Sequence, residues 1–268
     1  GMADGDWRTD GSRGLSVVGL TQDSKLITFR ADNPGRIRDV DRVTGLEGDQ
    51  SLVGIDYRVQ DGKLYGVGDA GGVYTIDKRG YASKVSQLTV ALSGTSFGVD
   101  FNPAANRLRV VSDAGQSLRH NIDDPNGVPA AGTTATDTTL TYPSTPTTPA
   151  TTAGGVGAAA YTNNDLDAMT ATTLFDIDSN LDQVVIQSPA NAGVVQPTGK
   201  LRVDSMGQSG MDIYSRQRNS TTVDNTALAV LHVDGKSRLY DVNLLTGTVT
   251  PVGSFGRTVV DVAIPLKQ

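Results

Sequence analysis

The chain has 268 residues, with 23 basic and 29 acidic side chains, a net charge of −6 and a pI near 4.9. It contains no cysteine and only two histidines, which excludes disulfides, zinc–thiolate sites and multi-histidine metal centres. No basic stripe suits nucleic acid and no apolar run of about 18 residues suits a membrane span, so we expect neither partner.

The first residues are polar and rich in glycine and aspartate. They predict a flexible N-terminal segment, 1–14, followed by one domain over 15–268. No apolar h-region of a signal peptide is visible in the chain as given.

An internal repeat begins in the next part of the chain. Val53–Arg58 resembles Phe97–Asn102 at an offset of 44 residues, and the match continues without gaps through Leu64 and Leu108. Within one unit, short alternating segments are bounded by turn residues, which predicts a four-stranded antiparallel meander. These segments are Leu52–Arg58, Lys63–Gly68, Gly72–Asp77 and Ser83–Leu88.

Two further copies follow with altered spacing. Between the second and third units, the Thr/Pro-rich stretch Pro143–Gly155 predicts a mobile surface loop, and Ser215–Thr226 predicts another. Asp178 aligns with Asp77 and Asn243, at the turn after the third strand. The third copy contains Ala159–Tyr161 and Leu174–Asp178, and the fourth contains Met211–Tyr214, Leu228–Leu231 and Leu239–Asn243.

The two ends of the chain complete one more unit. Val17–Leu20 and Leu26–Phe29 match the second and third strands of a unit, and the missing first strand appears as Val259–Ile264. The sequence therefore predicts an all-β fold: a five-bladed β-propeller of four-stranded antiparallel blades, closed by pairing the C-terminal strand with the N-terminal blade. Six blades is the alternative count. A helical solenoid is disfavoured because the apolar spacing is 2 and not 3.6.

Several long motifs resemble a known family. They are Leu52–Arg58, Gly94–Pro103, Arg107–Asp113, Ala160–Asn164 and Thr173–Ser179. They resemble the bacterial family catalogued as domain of unknown function 4394, over nearly all of the chain. The resemblance implies a β-propeller, often exported to the periplasm or the outside of the cell, and it implies no activity.

Four units carry an aspartate at the same register of the first strand, and the third unit has Ala160 there. Two interpretations are open. The carboxylates could hold Ca²⁺ or Mg²⁺ on the propeller axis, since these ions prefer oxygen ligands. The preferred interpretation is structural: each side chain points at the next blade and accepts its backbone N–H. The four residues are Asp56, Asp100, Asp212 and Asp261.

Arg109 and Arg119 fall on one face of the second full unit. They are candidate ligand-binding residues for an anion. The competing interpretation is a solvated or salt-bridged face.

The function favoured by the sequence is a non-catalytic binding or scaffold propeller, because no nucleophile motif is present. Its ligand, whether small molecule, glycan or protein, is left open, and we expect a monomer with no cofactor beyond the alternative axial ion. The alternative function is a divalent-cation-dependent hydrolase or lactonase-like enzyme with its site at the propeller mouth. Glu47, the only glutamate, lies outside the inner strands and counts against that alternative.

Overall fold

The computed structural model describes residues 14–268, so the predicted flexible segment falls, except for Gly14, outside the described residues. Alternating apolar residues and tight turns give 21 strands in chain order before the closing strand. Blade 1 contains β1 (Ser16–Thr21), β2 (Lys25–Arg30) and β3 (Asn33–Arg42). Blade 2 contains β4 (Leu52–Tyr57), β5 (Leu64–Gly68), β6 (Gly72–Ile76) and β7 (Ala82–Gln87).

The remaining blades follow the same order from the axis outward. Blade 3 contains β8 (Phe97–Asn102), β9 (Arg107–Ser112), β10 (Ser117–Asn121) and β11 (Thr133–Thr136). A two-stranded hairpin, β12 (Thr141–Tyr142) and β13 (Thr151–Thr152), precedes blade 4. Blade 4 contains β14 (Val156–Tyr161), β15 (Leu174–Asp178), β16 (Gln183–Gln187) and β17 (Val195–Lys200). Blade 5 contains β18 (Ser209–Arg218), β19 (Thr221–Val233), β20 (Lys236–Val242) and β21 (Val249–Ser254).

The last strand closes the ring. β22 (Val259–Ala263) pairs antiparallel with β1 and places Asp261 opposite Leu20. Beyond it, the Gln268 amide bonds the backbone of Ser16 through Oε1 at 2.7 Å and Nε2 at 2.9 Å. The predicted five-bladed propeller, closed by the C-terminal strand in the N-terminal blade, is confirmed.

The core lies between blades. Five hydrophobic clusters each fill one junction between neighbouring blades. Between blades 5 and 1, Phe29 is fully buried and meets Phe255 edge-on at 5.0 Å between ring centroids. Burying one such side chain contributes about 1.5–3 kcal/mol, so every blade depends on both neighbours for its apolar faces.

The segment Ser215–Thr226 was predicted as a loop, and this is wrong. β18 and β19 remain paired out to Arg218 opposite Thr221. Asn219 and Ser220 form the turn with φ of 51° and 63°, the left-handed conformation of a two-residue hairpin. Asn-Ser is a weaker turn signal than Asn-Gly, and so the hairpin escaped detection. Pro143–Gly155 does lie mostly on the surface.

Asp178 ends β15, the second strand of blade 4, and not the third as the repeat alignment predicted. Its Oδ1 accepts the N–H groups of Asn180 and Leu181, so the predicted turn-capping role is present at a different turn. None of the described residues forms a helix long and apolar enough to cross a membrane.

Deleting residues 259–268 should abolish cooperative unfolding, because it removes the inner strand of blade 1 and exposes two apolar blade faces. Thermal unfolding followed by near-ultraviolet circular dichroism, with the full chain as control, measures this. A truncated protein that melts in one sharp transition at the wild-type temperature would contradict closure by β22.

Candidate functional site: the propeller axis

Four carboxylates lie where the inner strands converge. Asp56, Asp100, Asp212 and Asp261 stand on β4, β8, β18 and β22 and are only 2–5 % exposed. Burial of this depth requires hydrogen bonds or charge neutralisation, because an ionised carboxylate loses its hydration there.

Each of these carboxylates bonds the inner strand of the next blade. The acceptor is Oδ2 in every case, and the donor is a buried backbone N–H of the neighbouring inner strand or of the residue just after it. The pairs are Ile55 N to Asp261 at 2.9 Å, Phe101 N to Asp56 at 2.9 Å, Tyr161 N to Asp100 at 2.9 Å and Ile264 N to Asp212 at 2.6 Å. The cross-blade bond predicted by the structural interpretation is thus present at four of the five junctions. Ala160, which stands in place of the aspartate in blade 4, cannot form it at the fifth.

Glycines two residues earlier allow this close approach. A Cβ on Gly54 would lie 2.4 Å from Val99 Cγ2, and one on Gly210 would lie 2.6 Å from the Cα of Asp261. The pattern Gly-x-Asp in blades 2, 3 and 5 therefore has a packing reason: the glycine lets the next strand come near enough to donate its N–H.

The carboxylates also converge on one another, which the sequence interpretation treated as the alternative to blade contact. Oxygens of Asp56, Asp100 and Asp212 lie within 4.8 Å of one another, a spacing that could surround a cation. Asp261 does not belong to this group. Both arrangements coexist because one oxygen of each carboxylate serves the next strand while the side chain remains near the axis.

Burial dominates the electrostatics of the cluster. It raises the pKa of Asp56 well above the usual range, and repulsion from Asp212 adds to the effect. The pKa values of Asp100 and Asp261 are raised by burial in the same direction, and that of Asp212 is raised to about 7. Among the described residues, no lysine or arginine forms a salt bridge with any of the four.

A funnel opens above the inner strands. It encloses about 270 Å³ and is lined by side chains near the starts of these strands, all of them uncharged. Within the part of the chain that the structure describes, no carboxylate contributes to this lining. The lining residues are Gln22, Ser51, Leu52, Val53, Thr95, Ser96, Phe97, Gln208 and Val260.

Two serine hydroxyls stand at the edge of this funnel. Ser96 Oγ accepts the N–H of Ser209 at 3.4 Å, while Ser209 Oγ is buried without a hydrogen-bond partner. A Cβ on Gly157 would lie 2.2 Å from Ser96 Oγ and 3.2 Å from Ser209 Oγ. Glycine at 157 therefore keeps room for both hydroxyls.

Arg109 and Arg119 do face one junction, between blades 3 and 4. Asp137 Oδ2 lies 2.6 Å from Arg109 Nη1 and 2.8 Å from Arg119 Nε. Both guanidinium groups thus form salt bridges with a carboxylate of the chain itself, which is the salt-bridged alternative given above.

No site role was predicted for Asp176 from the sequence. This residue of β15 is fully buried, and neither of its carboxyl oxygens has a hydrogen-bond partner. Burial raises its pKa well above the usual range, opposed by the charge of Arg109. An aspartate in the middle of an apolar strand was the available signal.

Comparison with known proteins identifies the family of this chain. The profile of DUF4394, a domain of unknown function, matches residues 25–263. The chain belongs to the DUF4394 family. No curated protein matches it.

Solved structures resemble this family member at low identity. A structural genomics protein of unknown function from Bacteroides thetaiotaomicron VPI-5482 is 14 % identical with a TM-score of 0.48, covering 95 % of this chain and 67 % of its own. The Dos1 propeller is 12 % identical with a TM-score of 0.43, covering 89 % and 60 %. U3-55K is 10 % identical with a TM-score of 0.42, covering 92 % and 79 %. Likeness at this level bears on neither activity nor ligand.

Replacing Asp137 by Asn should destabilise the protein by about 3–5 kcal/mol, because it leaves Arg109 buried without its counter-charge. The matched control is Asp224→Asn, whose partner Arg216 is 49 % exposed. There we expect a loss below about 1 kcal/mol. Equilibrium urea unfolding compares the two. Equal losses would show that the buried Arg109–Asp137 pair contributes no more to stability than the exposed pair.

Proposed function

We propose that this protein is a non-catalytic binding propeller that takes a small, neutral, hydroxyl-bearing molecule in the axial funnel. The observation that carries the proposal is the lining: amides and hydroxyls of Gln22, Ser51, Thr95, Ser96 and Gln208, with no charged side chain among the described lining residues. Such groups donate and accept hydrogen bonds without demanding a charged partner.

The funnel also offers a ligand apolar surface and a nearby polar group. Phe97, Leu52 and Val260 offer apolar surface for the carbon skeleton of a ligand. Next to the lining residue Ser96, the unpartnered hydroxyl of Ser209 favours a polar group nearby, since a buried hydroxyl without a partner costs about 1–3 kcal/mol. Sites for small ligands commonly combine an apolar wall with a few convergent polar groups.

The metal-dependent hydrolase is the second candidate, favoured by the mutual distances of Asp56, Asp100 and Asp212. Two features weigh against it. These carboxylates are almost completely buried, and they are absent from the funnel lining within the described chain. A substrate in the funnel would therefore not touch them, whereas a catalytic group must lie within hydrogen-bond reach of the reacting atom.

A panel of neutral monosaccharides, polyols and aldonolactones, tested by isothermal titration calorimetry, should yield at least one saturable ligand. Gln208→Trp should abolish its binding by filling the funnel, whereas Met206→Trp should retain it, because that side chain is 65 % exposed outside the lining. Lactone hydrolysis that needs Ca²⁺ and disappears in Asp100→Asn would replace this proposal by the hydrolase. Binding unaffected by Gln208→Trp would place the site elsewhere.

A further inference from the structure

The carboxyl groups at the axis lie near one another as well as against the neighbouring strands. One oxygen from each of Asp56, Asp100 and Asp212 lies within 4.8 Å of the other two. Two ionised carboxylates cannot hydrogen-bond each other, because both are acceptors only; one must carry a proton. In addition, the buried Oδ1 of Asp100 has no hydrogen-bond partner among the residues that the structure describes.

Within residues 14–268, no basic side chain forms a salt bridge with these carboxyl groups. The strand partners of the four aspartates are Tyr65, Arg109, Leu228 and Leu20. The only cation among them, Arg109, directs its guanidinium to Asp137, Ser117 and Asn191. Tyr57 and Tyr161 are the other titratable side chains beside the cluster, and burial raises the pKa of both, so they are neutral.

A cation fits this site less well than protons do. Ca²⁺ takes about six to eight oxygen ligands, usually including carbonyls and waters. Here, one oxygen of each carboxylate already accepts a cross-blade N–H. Both oxygens of Asp212 accept backbone N–H groups, from Ile213 at 2.8 Å and Ile264 at 2.6 Å. The cluster is also closed to solvent, with 2–5 % exposure.

We propose that Asp56, Asp100 and Asp212 share protons across three blades, and that these protons make closure of the ring depend on pH. In the acid form, an O–H of one carboxyl is donated to an oxygen of its neighbour, and the cross-blade N–H bonds are kept. Above neutral pH the protons leave to water, and like charges repel in a buried space.

The direction of the pH effect follows from linkage. The folded-state pKa values lie above those of the unfolded chain, so this contribution is complete below about pH 4 and is lost as the pH rises through the folded-state values. Asp212 titrates near 7 in the folded state, whereas burial lowers the pKa of His120 to about 4 and that of His232 in the same direction. Unfolded histidines still bind protons near their ordinary pKa of about 6.5, so measurements from about pH 7.5 upward isolate the carboxyl groups from the histidines.

The experiment is chemical unfolding between pH 7.5 and 9 in EDTA. We expect the unfolding equilibrium constant of the wild type to rise with pH, by up to about tenfold per unit for each proton that the folded state still holds and the unfolded chain does not. Asp100→Asn should show a smaller rise and be at least as stable as the wild type at pH 9, because an amide can donate to Asp56 as the protonated carboxyl does. The matched control is Asp234→Asn at an exposed turn, which should keep the wild-type slope.

Three results would overturn the proposal. One is a wild-type stability that is flat or rising over this range. Another is an Asp100→Asn slope equal to that of Asp234→Asn. The third is stabilisation of the EDTA-treated wild type by Ca²⁺ at pH 9 that is absent in Asp100→Asn, which would assign the cluster to a cation. If Asp100→Asn does not fold, Asp56→Asn and the wild-type pH profile test the same claim.

Discussion

The ring depends on one repeated contact: on four of the five inner strands, a buried aspartate accepts a backbone N–H of the next blade. It joins blades 1 to 2, 2 to 3, 3 to 4 and 5 to 1. At the junction of blades 4 and 5, where Ala160 replaces the aspartate, Asn164 takes over. Its side-chain amide donates to Ile213 O at 3.0 Å, and its N–H donates to Ser215 Oγ at 2.8 Å. Ser215, which accepts the second of these bonds, lies on the extended hairpin of blade 5.

The contact has an electrostatic consequence: it gathers buried carboxyl groups at the axis, at a place distinct from the funnel. Inner strands close enough to exchange these bonds bring their carboxyl groups together, away from water and from any cationic partner in the described chain. In the proposed arrangement, shared protons remove the charge repulsion between these carboxyl groups, and no ligand from outside is required. In the proposed function, the ligand in the neutral funnel meets Gln208, Ser96 and their neighbours and not the aspartates.

The sequence predicted the architecture well because the repeat is encoded residue by residue. The 44-residue offset between Val53–Arg58 and Phe97–Asn102 located the inner strands, and the orphan segment Val259–Ile264 predicted the closure. The convergence of Asp56, Asp100 and Asp212 depends on how near the inner strands approach in space. That distance cannot be derived from the alignment of the repeats. Asp137 is missed as the partner of Arg109 and Arg119 because it follows an irregular outer strand, 18 residues after Arg119. The hairpin at Asn219–Ser220 is missed because its turn residues are not distinctive.

The most direct test of the account is the titration of the aspartate side-chain carboxyl carbons by ¹³C NMR between pH 3 and 9. We expect resonances of Asp56, Asp100 and Asp212 to stay in the protonated position through the range, near about pH 4, in which an ordinary aspartate ionises. They should shift only toward neutral pH or above, and not independently of one another. Resonances of Asp56, Asp100 and Asp212 that ionise in the ordinary aspartate range, each with a simple single-site curve, would contradict it.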